Sequence, residues 1–162
     1  MGSIDLFYLL IALFAMSIGV ILSIHITNTM VVGLNQSVGG SNTYIQKASA
    51  DVTNTFLLFD AAIVEVFFGL AIIAIASAFL IKSHPIFYFF TLIAIIIILA
   101  VTPSIANGFF DFVTNPTIVA TANNFPLTIQ LFQSLPTILL IISVLIAIAT
   151  LAKQDTGTVD TL

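Results

Sequence analysis

Apolar residues fall in four blocks along this chain, and polar residues are pushed into the gaps between them. The blocks run over 4–26, 56–81, 86–101 and 135–152. They reach or approach the roughly twenty residues an α-helix needs to cross a hydrocarbon layer of ~30 Å, with 86–101 the short one. A backbone in lipid must satisfy its own hydrogen bonds, so each block is expected to be a helix. The pattern therefore predicts an all-α integral membrane fold, a single polytopic domain over 1–162. Its four transmembrane helices would form two hairpins, with both termini on the same side.

The gaps are of two kinds. Lys82-Ser83-His84-Pro85 predicts a tight turn between the second and third spans. Pro85 suits the first position of a helix, where a missing N–H costs nothing. The other two connections, 27–55 and 102–125, read as long polar loops on one side. Within the first, NQSVGGSNTY holds Gly39-Gly40 as a break. The following YIQKASADVTNTF is built of good helix formers that Ser41 or Asn42 can cap, so the second span can begin as a helix projecting from the bilayer. In the second connection, Pro103 is expected to kink the third span rather than end it. Asn124 and Pro126 read as the N-cap and first turn of the last helix, and Pro136 as a bend in it or its point of membrane entry.

Composition strengthens the membrane reading. Hydrophobic residues make up 60% of the chain, charged residues 6%, and mean hydropathy is +1.24. A soluble domain carries about a quarter charged residues, so this chain could not cover its own surface in water. It must sit in lipid or be wrapped by other apolar protein. There is no Arg, the three basic residues are Lys47, Lys82 and Lys153, and the net charge is −4. That excludes a nucleic-acid partner and a polybasic lipid anchor as expectations. With no Cys, disulfides, thiolate metal sites and cysteine nucleophiles are excluded together. The first apolar block opens on Asp5 with no basic residue before it, so it is expected to be a retained helix rather than a cleaved leader. Lys82 and Lys153 on one side of a four-span arrangement, against Lys47 on the other, favour cytoplasmic termini and outer polar connections.

Two carboxylates interrupt the second block, in the stretch FDAAIVEVFFG. Asp60 lies near the start of the span, within a turn of the expected interface. Glu65 lies deeper, where a charge costs a few kcal/mol even on the lenient insertion scale. Glu65 is therefore expected to face protein, held neutral or hydrogen-bonded against a neighbouring helix of this chain or of a partner. A spacing of five leaves the two acids ~140° apart on a helix, so they do not form a pair by themselves. His25 ends the first span on the same side as Asp60, and His25, Asp60 and Asp111 are expected to approach one another at the outer mouth of the bundle. Such a cluster serves either as an interhelical hydrogen bond or as a proton- or cation-responsive site. Phe109, Phe110, Asp111 and Phe112 form an aromatic patch in the outer connection and a candidate partner-contact loop. Phe87, Tyr88, Phe89 and Phe90 read as an interfacial aromatic belt, and Ala71, Ala74, Ala76 and Ala78 as a face that admits a close helix neighbour. No glycine-rich phosphate loop, nucleophile elbow or HExxH pattern is present, so no catalytic set, no metal site and no cofactor are expected.

The last hairpin, with its polar Asn/Thr loop followed by FPLTIQLFQSLPTILLIISVLIAIATLAK, resembles the small hydrophobic hairpin proteins of archaea and their membrane-containing or spindle-shaped viruses. The chain departs from them in having four spans rather than two and in carrying Glu65. The resemblance implies a coat or membrane-structural role. The rotary-ATPase proteolipids are similar in having paired hairpins and a membrane carboxylate. Their helices are glycine-rich, however, and this chain has only eight Gly. The function expected is that of a non-enzymatic structural or assembly subunit in a virion or envelope membrane. The near alternative is an accessory subunit of a cellular membrane complex. A small proton- or ion-coupled transporter using Glu65 is the alternative of another class. The partners expected are the lipid bilayer and other membrane subunits or copies of itself.

Overall fold

A computed structural model describes residues 2–37, 43–80 and 85–155. Five helices follow one another: α1 (Gly2–Ser37), α2 (Thr43–Leu80), α3 (Pro85–Val113), the single turn α4 (Val119–Ala122) and α5 (Pro126–Asp155). Four of them are long and apolar enough to cross a membrane. At 1.5 Å per residue they measure from ~44 Å for α3 to ~57 Å for α2, well beyond the ~30 Å of a hydrocarbon core.

The excess length corrects the expected boundaries. The connections 27–55 and 102–125 are largely helix. α1 runs on to Ser37, α2 starts at Thr43, α3 continues to Val113, and only 114–125 forms a compact turn segment around α4. Polarity at Thr27, Asn28 or Asn54 ends what lipid can surround. It does not end the intrahelical hydrogen-bond ladder, which polar side chains on an exposed face leave intact. α2 is already helical from Thr43, ahead of the second apolar block. Gly39-Gly40 and the Ser41 or Asn42 cap, and Lys82, Ser83 and His84 of the expected turn, lie outside the described residues, while Pro85 opens α3 as expected. α3 passes through Pro103 and α5 through Pro136 without interruption.

α1 packs on α2 and α3, and α5 packs on α2 and α3. The four long helices thus close a ring in the order α1, α2, α5, α3. The core repeats every three or four residues on each helix, as at Leu10, Leu13, Ser17, Ile21 and Ile24 of α1 and at Asp60, Ile63, Phe67, Ala71 and Ala74 of α2. Positions between these are equally apolar but exposed, among them Leu22, Ile72, Ile96, Leu140 and Ile148. A helix apolar on every side is covered by lipid or by other protein. Ala71 and Ala74 lie in the core, Ala78 packs against it, and Ala76 is exposed, so most of the expected alanine face serves packing within the chain.

Aromatic rings join three helices at one level. Phe132 of α5 stacks on Phe109 of α3, with centroids 3.8 Å apart and an interplanar angle of 11°, and meets Phe14 of α1 edge-on at 6.4 Å. Hydroxyls along the helices are mostly satisfied by their own backbone: Ser17 donates to the Leu13 carbonyl at 2.7 Å, Thr102 to Ile98 at 2.6 Å, and Thr150 to Ile146. This i−4 bonding lets Ser and Thr enter an apolar helix at little cost.

Candidate functional site: the carboxylates of α2

The start of α5 raises a local problem that Asp60 solves. A helix leaves its first N–H groups without intrahelical partners, and a Ser, Thr, Asp or Asn at the N-cap normally accepts one of them. Here the residue before Pro126 is Phe125, which has no acceptor in its side chain. The first intrahelical bond runs from Ile129 N–H to the Phe125 carbonyl at 3.0 Å, and Phe125 N–H donates to the Ala122 carbonyl at 2.8 Å. Pro126 has no N–H to satisfy. That leaves Leu127 and Thr128, and both donate to one carboxylate of another helix. Leu127 N–H donates to Asp60 Oδ2 at 3.0 Å, and Thr128 N–H and Oγ–H donate to Asp60 Oδ1 at 2.7 and 2.6 Å. Asp60 is 5% exposed and Thr128 fully buried.

Asp60 is thus the N-cap of α5, supplied across the bundle. A carboxylate at a helix N-terminus meets both the orphan donors and the positive end of the helix dipole. Hydrogen bonds to an ionised group contribute about 1.5–3 kcal/mol each, which offsets the cost of burying it. This corrects one expectation: Asn124 is not the cap of the last helix, because α5 starts one residue too late for it. Pro126 at the first position stands as expected.

The expected cluster of His25, Asp60 and Asp111 does not assemble. His25 is half-buried, with Nδ1 3.4 Å from Thr121 Oγ1 of α4. Asp60 is occupied by α5, and Asp111 points outward from the last turn of α3, exposed. Among the described residues, no group of three or more His, Asp or Glu could hold a metal ion. Each of the two groups instead fastens the same piece of chain, His25 at α4 and Asp60 at the start of α5.

The aromatic patch is also redistributed. Phe109 is fully buried, Phe110 and Phe112 pack against the core, and only Asp111 of the four is exposed. Because α3 is helical here, consecutive residues fan out by 100°, and the run cannot present one flat contact surface as a loop would. Phe89 and Phe90 are exposed at the other end of α3 with their rings edge-to-face.

Glu65 is exposed on the outer wall of α2. The expectation that it faces protein is not met within the single chain, for a geometric reason. The inward stripe of α2 runs through Asp60, Ile63 and Phe67, and Glu65 stands ~200° from both Ile63 and Phe67. Beside it, a groove of about 230 Å³ opens between α2 and α5, lined by Val64 and Phe68 and by Gln130, Leu131, Ser134 and Ile138.

Comparison with known proteins finds no match: no family model, no curated protein and no solved structure is similar to the chain. The class that the fold itself defines is an all-helical chain with four helices long and apolar enough to cross a membrane.

Proposed function

We propose that this protein is a non-enzymatic structural subunit of a larger membrane assembly. The observation that carries the reading is the position of Glu65: an ionisable side chain exposed on the outer wall of the apolar stretch of α2, among exposed Val66, Phe68, Leu70 and Ile72. Intramembrane acids normally face the bundle interior or a partner, because exposure to lipid costs several kcal/mol. An acid facing out of its own bundle calls for a neighbouring protein. The interior supports the same choice. Its buried hydroxyls at Ser17, Thr102 and Thr128 bond to their own helix or to Asp60, and both oxygens of Asp60 are taken by α5. That leaves a proton- or ion-coupled path through a single chain without a polar relay among these residues. The setting that the hairpin resemblance implies is a virion or envelope membrane, with a cellular membrane complex as the near alternative.

The packing also supports two hairpins, α1 with α2 and α3 with α5. Phe14 and Phe109 meet Phe132 at one level while His25 meets Thr121 beyond it. In the arrangement we propose, α1 and α3 run toward α4, α2 and α5 run away from it, and both termini lie on the opposite side. The reading is tested by mild solubilisation from the native membrane, native gel separation and mass spectrometry. Stoichiometric recovery with coat or complex proteins is expected. Recovery as a lone chain, together with proton flux in liposomes that Glu65→Gln abolishes, would overturn the proposal in favour of transport.

A further inference from the structure

We infer that the wall formed by α2 and α5 is a self-association face, across which two copies of this chain hydrogen-bond Glu65 of each to Gln130 of the other. The inference rests on the assembly reading and names its first partner. Four observations lead to it. Glu65 and Gln130 are both exposed, and Gln130 lines the groove between α2 and α5 beside Val64 and Phe68. They stand within a turn of one depth: Asp60 meets Leu127 and Thr128, and Val64 and Phe68 line a common groove with Leu131 and Ile138. α2 and α5 therefore run side by side in the same direction, and five residues further along, ~7.5 Å, Glu65 lies within one helical turn of the level of Gln130. The ridge bearing Glu65 is narrow on either side, with exposed Ala61 one turn before and Gly69 one turn after. A Cβ added at Gly69 would meet nothing within 4 Å, so another helix can approach closely. Lys47, the basic residue whose side chain is described, lies on α2 five turns away from Glu65, so no cation of this region matches the acid.

Self-complementarity decides the occupant. Two copies inserted the same way in a membrane are related by a two-fold axis along its normal, which preserves depth and makes the contact isologous. A carboxyl on α2 and a carboxamide on α5 within a turn of that depth then pair twice, each copy supplying both partners. A lipid chain would fill the groove but offer Glu65 no hydrogen bond.

The chain contains no Cys, so trans cross-linking reads the contact directly. Two differently tagged copies, Gly69→Cys and Thr137→Cys, are co-reconstituted in phosphatidylcholine vesicles at dilute protein and oxidised. A mixed disulfide dimer is expected from this pair and not from Tyr8→Cys, on the exposed side of α1, paired with either. Glu65→Leu is expected to lower the dimer yield about tenfold, since each interhelical hydrogen bond in a membrane contributes a factor of about three to ten. Glu65→Gln keeps a hydrogen-bonding group and is expected to retain most of the yield. Equal cross-linking of the Tyr8→Cys control, or a Glu65→Leu yield equal to that of the parent, would overturn the inference. A chain that stays monomeric in vesicles yet co-purifies with other proteins from its native membrane would overturn self-association and leave the assembly reading standing. A chain that is alone in both would overturn both.

Discussion

Asp60 and Glu65 are five residues apart on one helix and have opposite surroundings, because 500° of helical rotation turns one inward and the other outward. Asp60 closes the hydrogen-bond account of α5, accepting from Leu127 and Thr128. Replacing it leaves the buried Thr128 N–H and the part-buried Leu127 N–H without their acceptor, so Asp60→Leu is expected to destabilise the bundle by about 3–5 kcal/mol, the loss of hydrogen bonds to a carboxylate at about 1.5–3 kcal/mol each. Asp60→Asn retains one acceptor oxygen for Thr128 but turns an amide N–H₂ toward Leu127, and about half that loss is expected. Reversible unfolding in mixed micelles, followed by circular dichroism, measures both. A loss under 1 kcal/mol for Asp60→Leu would mean that another group caps α5. His25, by contrast, holds Thr121 through a single long contact of 3.4 Å, and His25→Ala is expected to cost about 1 kcal/mol or less.

At the scale of elements, the two long helices α1 and α2 outrun the rest of the bundle. His25 is level with α4 and Asp60 with the start of α5, so residues 26–37 and 43–59 extend past that end by ~18 and ~25 Å. Their exposed faces carry Thr29, Gln36, Lys47, Asp51 and Asn54 alongside Met30, Val32 and Leu34. This arm is expected to stand in water. Single cysteines introduced at Gln36, Lys47 or Asn54 should react with a membrane-impermeant maleimide in sealed vesicles of one orientation, and cysteines at Ile72, Ile97 or Leu140 should not. Labelling that stops at Ile26 and Phe59 and spares the arm would place it inside the lipid or a partner. The compact turn over 114–125 is of the other kind. Thr117 N–H bonds to Asn115 Oδ1 at 3.0 Å in an Asx turn, and Thr121, Ala122 and Phe125 are buried beneath it.

For the whole molecule, the inner surface of the ring decides cohesion and the outer surface decides company. Phe132 joins α5 to α3 and α1 through its contacts with Phe109 and Phe14. Water does not drive helices together inside a membrane, so close packing carries this term. Phe132→Ala is expected to cost about 3 kcal/mol, near the low end for a buried aromatic, and to loosen α3 and α5 together. A Phe132→Leu control should recover most of it in the same unfolding measurement. Ser143 lies in this interior with its hydroxyl unbonded, and Ser143→Ala is expected to be neutral or slightly stabilising, since it removes a buried polar group that has no partner.

Much of the architecture is legible in the sequence because it depends on composition and length. Four apolar blocks in a chain with so few charges have one stable backbone conformation in lipid, and Pro85 and Pro126 mark helix starts by their missing N–H alone. Hydropathy marks where lipid ends, however, and not where a helix ends, so the reach of α1, α2 and α3 into polar sequence had to come from the structure. The site shows the same division. Two acids in the second apolar block are visible at once, and helical rotation already separates them. Which acid turns inward depended on the neighbours of α2. The cap of α5 was out of reach because donor and acceptor stand 67 and 68 residues apart. Its trace was a helix start, Phe125-Pro126-Leu127-Thr128, with no acceptor at the cap position. Local hydrogen-bond chemistry can be read from one segment, whereas a bond supplied by another helix exists only once the bundle has brought the two together.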